Sequence, residues 1–229
     1  MLTSATLQTR IDSFGGLPSI GLVAADDVVA GSDQSGKSFR GVDFGESRSL
    51  ERVNFRGTDL AGASFSQGFL GIGEVHTKHH MENSCYPSDL TDSDFTRADL
   101  TETNFYGCDL ESVVLTDATA VRADFRRAVL RHALGENANL SGAYLSGASF
   151  ESADFEYACF VGAECGATVL GSPSKYSGEA KLIPASFRNA ILVSADFSRA
   201  DLRGVDFTGA DLAGAKFDDA LLDGAILPI

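Results

Sequence analysis

The most constraining feature of this chain is a period of five. From Ala185 onward the residues Phe187, Leu192, Phe197, Leu202, Phe207, Leu212, Phe217, Leu222 and Leu227 fall at every fifth position. A small residue, mostly Ala, stands two places before each. A period of five fits neither the 3.6 residues of a helical turn nor the two-residue alternation of a strand. Self-similarity at a fixed short period is the mark of a stacked repeat, in which each unit buries its apolar side only against its neighbours.

The frame runs back through most of the chain. Its centres are Leu90, Phe95, Leu100, Phe105, Leu110, Leu115, Ala120, Phe125 and Leu130, then Leu140, Leu145, Phe150, Phe155, Phe160, Cys165 and Leu170. Gly135 is the weak link, with Leu134 beside it. An N-terminal block has Phe39, Phe44, Leu50, Phe55, Leu60, Phe65 and Leu70, with one residue added between Phe44 and Leu50. Ala98, Ala123, Ala143 and Ala195 are among the small residues two steps before a centre.

The pattern A-(D/N)-(L/F)-x-x resembles the pentapeptide-repeat family over roughly residues 38–229. The resemblance implies an all-β fold, a right-handed quadrilateral parallel β-helix in which four pentapeptides make one coil. Its centre and the small residue two before it point inward. A solenoid of about eight coils, stacked at the roughly 4.8 Å of paired strands, gives a rod about 40 Å tall. Residues 1–37 carry no repeat and are expected to cap the rod, with a remnant of a targeting segment as the alternative. Two turn-rich polar stretches, about 71–87 and 171–184, are expected to be loops that leave it, which is where solenoids often carry specificity. Gly62, Gly142 and Gly204, two places after a centre, suit tight corners.

The net charge of −14 raises the question of nucleic-acid mimicry. Most of it comes from one repeat position. The residue before the centre is acidic at Asp43, Asp59, Asp89, Asp94, Asp99, Asp109, Asp124, Asp154, Glu164, Asp196, Asp201, Asp206 and Asp211, and only Lys216 opposes them there. An Asp at a corner hydrogen-bonds nearby backbone N–H groups, so the acidity is mainly a property of the repeat. The resulting field argues against direct binding to nucleic acid. No stretch of 18 apolar residues is present, so no transmembrane segment is expected.

Few constellations stand out as chemistry, and no nucleophile motif or phosphate loop is among them. The first insert gathers His76, His79 and His80 with Cys85, a set able to hold zinc or copper but with no recognisable ligand spacing. The histidines read better as a partner contact, and no cofactor is expected. Cys108 and Cys165 read as core filling, and a disulfide between Cys85 and Cys108 is left open. Arg126, Arg127, Arg131 and His132 form a small basic island. Outward Tyr106, Tyr144 and Tyr157 are candidate interface residues. The repeat runs to the final AILPI, and Leu222, Ile226, Leu227 and Ile229 are expected to form an interface, including a homodimer through that coil.

The first expectation for function is a non-catalytic scaffold for protein partners. The resemblance adds a setting, because repeats of this type abound in cyanobacteria and chloroplasts. An accessory or assembly role in the thylakoid lumen follows, with the cytoplasm as the other location. The alternative is a DNA mimic that binds DNA gyrase, as the quinolone-resistance members of the family do. Those relatives dimerise through a C-terminal helix and have repeats richer in Cys.

Overall fold

The computed structural model describes residues 28–44, 50–65, 88–166 and 184–228. Its regular element is a single-residue parallel pairing, repeated at each residue that precedes a centre. These pairings line up in four columns, one per face of the rod. Face one stacks Asp33, Asn54, Asp94, Val114, Leu134, Asp154, Ile191 and Asp211. Face two runs from Ser38 through Asp99 and Cys159 to Lys216, face three from Asp43 through Asp124 and Tyr144 to Leu221, and face four from Asp89 through Val129 to Ile226.

The backbone accounting of one unit explains the repeat. In residues 93–97, the Asp94 N–H donates to Val53 O in the coil below (2.9 Å), while the Phe95 N–H donates to Val114 O in the coil above (2.7 Å). The Arg97 N–H also donates upward, to Thr116 O (3.0 Å). The Ser93 N–H closes the preceding corner on Leu90 O (3.1 Å). One donor is left, the Thr96 N–H, and it goes to Asp94 Oδ1 (2.9 Å). Buried or half-buried backbone donors must be paired, and the carboxylate before the centre supplies the bond that neither ladder nor corner provides. The same bond joins Asp99 to Thr101, Asp154 to Glu156 and Asp211 to Ala213. The Asp-rich position is thus a corner cap, as the sequence suggests.

Corner geometry sets the second constraint. The second corner residue has positive φ throughout, as in Gly62 (68°), Arg97 (60°) and Tyr157 (58°). That region costs a non-glycine residue roughly 1–2 kcal/mol. The ladder bond made by that residue's N–H offsets the cost, so arginine and tyrosine are tolerated at the same position as glycine.

Inside, the centres and the small residues two before them are buried together. Phenylalanines stack along the axis. Phe44, Phe65, Phe105 and Phe125 lie one above another at 4.6, 5.1 and 5.0 Å, nearly parallel. Higher up, Phe160, Phe197 and Phe217 do the same at 4.7 and 5.5 Å. Gly135 keeps its place in the frame. The Phe155 ring leans into the space a side chain would take, and a Cβ at Gly135 would lie 2.1 Å from Phe155 Cε1.

Two expectations are corrected, the start of the rod and the burial of Leu212, while Cys108 and Cys165 fill the core as expected. The rod starts before Ser38: Asp33 pairs with Asn54 and Val28 is buried, so residues 28–37 are coil rather than cap. Leu212 is only partly buried, because no described coil lies beyond it. Cys108 is a free thiol that donates to Phe65 O (3.4 Å). Burial pushes its pKa up to about 12. Cys165 is also buried and its pKa is raised by burial. Cys85 lies outside the described residues.

Phe197, Leu202 and Phe207 are fully buried. Leu202→Asp places an unpaired charge among them and is expected to cost several kcal/mol, read as loss of the thermal transition or of the β signal in circular dichroism. Acid tests the corner caps. Bonds from Ser198 and Thr208 hold Asp196 and Asp206 below the usual carboxylate range, and the Arg203 side chain does so for Asp201. A depressed folded pKa gives stability that is present above about pH 4 and lost as pH falls through the lower folded value. Melting temperature is expected to hold between about pH 5 and 7 and to fall below about pH 4.

Candidate partner-binding edge

All three departures from the repeat fall in sequence between described residues of face three and described residues of face four. The added residue lies between Phe44 and Leu50, and the two inserts follow Phe65 and Cys165; Phe44, Phe65 and Cys165 share one column of centres. The described coil passes from Phe65 to Ser88 and from Gly166 to Pro184. The Ser88 N–H donates to Phe65 O (3.2 Å), and the Ala185 N–H to Cys165 O (2.8 Å). These are the bonds of an ordinary corner, such as Ala128 N–H to Phe125 O (2.9 Å). Each insert therefore takes the place of two corner residues, and Leu90 rather than Leu70 continues face four. Pairings from Ser64 through Asn104, Asp124 and Tyr144 to Glu164 separate the two exits by four steps, about 19 Å.

Between the exits stands a compact aromatic and charged cluster. Arg126 lies at the shared corner one coil above Tyr106, and Tyr144 lies on face three directly above Asp124. Arg126 Nε donates to Asp124 Oδ1 (2.9 Å) and its Nη2 to Oδ2 (2.5 Å). Its guanidinium carbon is 5.6 Å from the Tyr106 ring centre and 5.9 Å from that of Tyr144. The Asp124 bond raises the Arg126 pKa. Both charged side chains are largely covered, at 28% and 15% exposure, and a forked pair of this kind is worth more than an open surface contact. Ser146, next along the corner, donates its hydroxyl to Gly166 O (2.7 Å) and ties down the start of the second departure.

The structure sorts the remaining candidates. Tyr106 and Tyr144 come together, while Tyr157 is exposed on the diagonally opposite edge. The basic island divides across face four, since Arg131 pairs with Glu111 (2.6 Å) on the far corner. Ile226 and Leu227 are exposed in the last described turn, and Leu222 packs partly against the core. His76, His79, His80, Cys85 and Ile229 lie outside the described residues. Among the described residues no group of side chains is arranged to hold a metal ion, and no helix is long and apolar enough to cross a membrane. The part of Arg126 as the bridge between two tyrosines was missed in the sequence. A twenty-residue register carries the signal, because Tyr106 precedes Arg126, and Asp124 precedes Tyr144, by one coil.

The chain belongs to the pentapeptide-repeat family: the "Pentapeptide repeats" model matches in 8 copies across residues 88–117, 108–133, 136–164, 179–209 and 190–227. No curated protein matches it in sequence. Among solved structures it is similar to HetL from the cyanobacterium Nostoc sp. strain PCC 7120, a pentapeptide repeat protein involved in heterocyst differentiation regulation. The identity is 22%, over 99% of this chain and 98% of that one, with a TM-score of 0.34. It is also similar to QnrB1, a plasmid-mediated fluoroquinolone resistance protein, at 17% identity over 86% and 87% with a TM-score of 0.47. A third is a pentapeptide repeat protein from the Arabidopsis thaliana thylakoid lumen, at 18% identity over 86% and 77% with a TM-score of 0.21. The family assignment rests on the repeat match.

Removing the bridge tests the cluster. Arg126→Ala is expected to cost about 1 kcal/mol, a drop of roughly 2–4 °C in melting temperature for a chain of this size. Arg126→Lys should recover only part of it, since lysine cannot make the fork.

Proposed function

We propose that the protein is a non-catalytic scaffold, a right-handed rod of about eight coils that binds a protein partner along the edge between faces three and four. One observation carries the reading: the three breaks between described segments of the rod all fall between faces three and four, and Tyr106, Arg126 and Tyr144 cluster on that edge between the flanks of the two inserts. Half-exposed tyrosine and arginine are the side chains most enriched where proteins meet. His79 and His80, in the first insert, belong to the same contact. Leu222, Ile226, Leu227 and Ile229 are proposed as a second contact, between copies. The repeat type supports an accessory role in a photosynthetic setting.

The acidity of the chain favours one other reading, a gyrase-binding mimic of DNA. The distribution of charge weighs against it. Each face breaks its acidic column with neutral residues, such as Val114 and Leu134 on face one or Val129 and Ser149 on face four. Several carboxylates are already paired, as in Arg56–Asp94 (3.0 Å) and Arg188–Asp206 (2.9 Å).

Affinity capture from the native source separates the readings. The parent chain is expected to recover a defined partner that a Tyr106→Ala, Arg126→Ala, Tyr144→Ala variant loses while still melting cooperatively. Recovery of the same proteins by both would sink the edge as the contact, and protection of purified gyrase from quinolone would favour the mimic.

A further inference from the structure

The exposed large apolar side chains among the described residues fall into two groups. Val29, Leu221, Ile226 and Leu227 sit in the first and last described turns. The others, Leu134 (48% exposed), Ile191 (40%) and Tyr157 (54%), lie mid-rod and on one side. Leu134 and Ile191 share face one with Asp154 between them. Tyr157 stands on the adjoining corner in the coil of Asp154, with Val193 in the next coil above its neighbour Glu156 and accepting the Tyr157 N–H at its carbonyl (2.9 Å). Single exposed apolar residues mean little, but a contiguous set marks a contact surface.

On the Tyr157 side of this set the charges have one sign. Among the described residues the Asp154 carboxylate accepts only the Glu156 N–H (3.2 Å). Glu136 and Glu156, on the same corner as Tyr157, have no ion pair among the described residues. The cations on the other corner of face one are engaged, Arg131 with Glu111 and Arg188 with Asp206. A second copy docked here would set these carboxylates against their own kind, which costs energy at close range. The backbone of face one is bonded to the coils above and below, so a partner cannot add a strand and must meet side chains.

We propose that face one, with its corner at Tyr157, is a docking site for a basic amphipathic helix of a partner protein. The helix lies along the rod axis. Leu134 and Ile191 are two coils apart, about 10 Å, which matches residues seven apart on a helix of 1.5 Å rise. Apolar residues at that spacing cover Leu134 and Ile191, and lysine or arginine beside them faces Glu136, Asp154 and Glu156. This surface is diagonally opposite the edge between faces three and four, so it stands independently of that contact, and the rod would join two partners.

The test uses the full chain and three synthetic helices of about 18 residues, five turns. One has leucine on one face and lysine on the other, the second replaces lysine by glutamate, and the third replaces leucine by serine. Peptide anisotropy gives affinity, and amide chemical shifts of the protein locate the site. The leucine–lysine helix is expected to bind at least about tenfold tighter than the other two, with shifts centred on Leu134, Asp154, Tyr157 and Ile191. Leu134→Ser with Ile191→Ser should weaken it by a similar factor. Tyr157→Ser, checked for an unchanged melt, reads the same surface if the double variant does not fold. Equal binding of the serine–lysine helix, shifts centred elsewhere, or parent-like binding by the variants would overturn the proposal. So would self-association of the parent that the double variant abolishes in sedimentation.

Discussion

The structure depends on backbone bonds directed along the rod axis. Each unit has five N–H donors: three bond to neighbouring coils and one closes a corner. Where an Asp or Asn precedes the centre, the fifth goes to its side-chain oxygen, as Thr96 N–H does to Asp94 Oδ1. Every other feature follows from keeping that arrangement intact over many coils. The corner must turn within two residues, so the second adopts positive φ. The interior is too narrow for more than one large and one small side chain per face, so phenylalanine or leucine is set beside alanine. The acidity of the protein is a by-product of the fifth donor.

Packing responds to the same rule. Because coils repeat in register, identical centres stand directly above one another and aromatic rings stack face to face along a column, as Phe65 does on Phe105. Neighbouring columns meet edge to face, as Phe65 does with Phe95 at 82°. Offset and perpendicular contacts are both favourable for aromatic pairs, so one lattice satisfies each ring twice. Gly135 shows how a gap in the lattice is closed, by the ring of Phe155 from the coil above.

The fold was legible in the sequence because its constraint is local and periodic: Leu202 and Phe207 could be placed in the core from spacing alone. The Asp positions could be assigned to corners for the same reason. What spacing did not show was azimuth. Tyr106, Tyr144 and Tyr157 look equivalent as outward aromatics, yet two meet at Arg126 and the third stands across the rod. The column shared by Phe65 and Cys165 shows that the two inserts begin from the same side of the rod. The start of the rod was misjudged as well, because Gln34 fills a centre position with a polar side chain held by Ser32 and Lys37, and so disguises the frame.

Four columns with a common register have a consequence for how such a rod changes over time. Gain or loss of twenty residues alters its height by one step and leaves every surface above aligned with every surface below. Gain or loss of five turns all that follows by a quarter revolution, and a patch spread over several coils is torn apart. Lengthening the chain at a corner does neither. A surface built across coils, such as the one joining Tyr106 to Tyr144, therefore restricts the lineage to whole-coil changes within its span and leaves extra length to collect at corners.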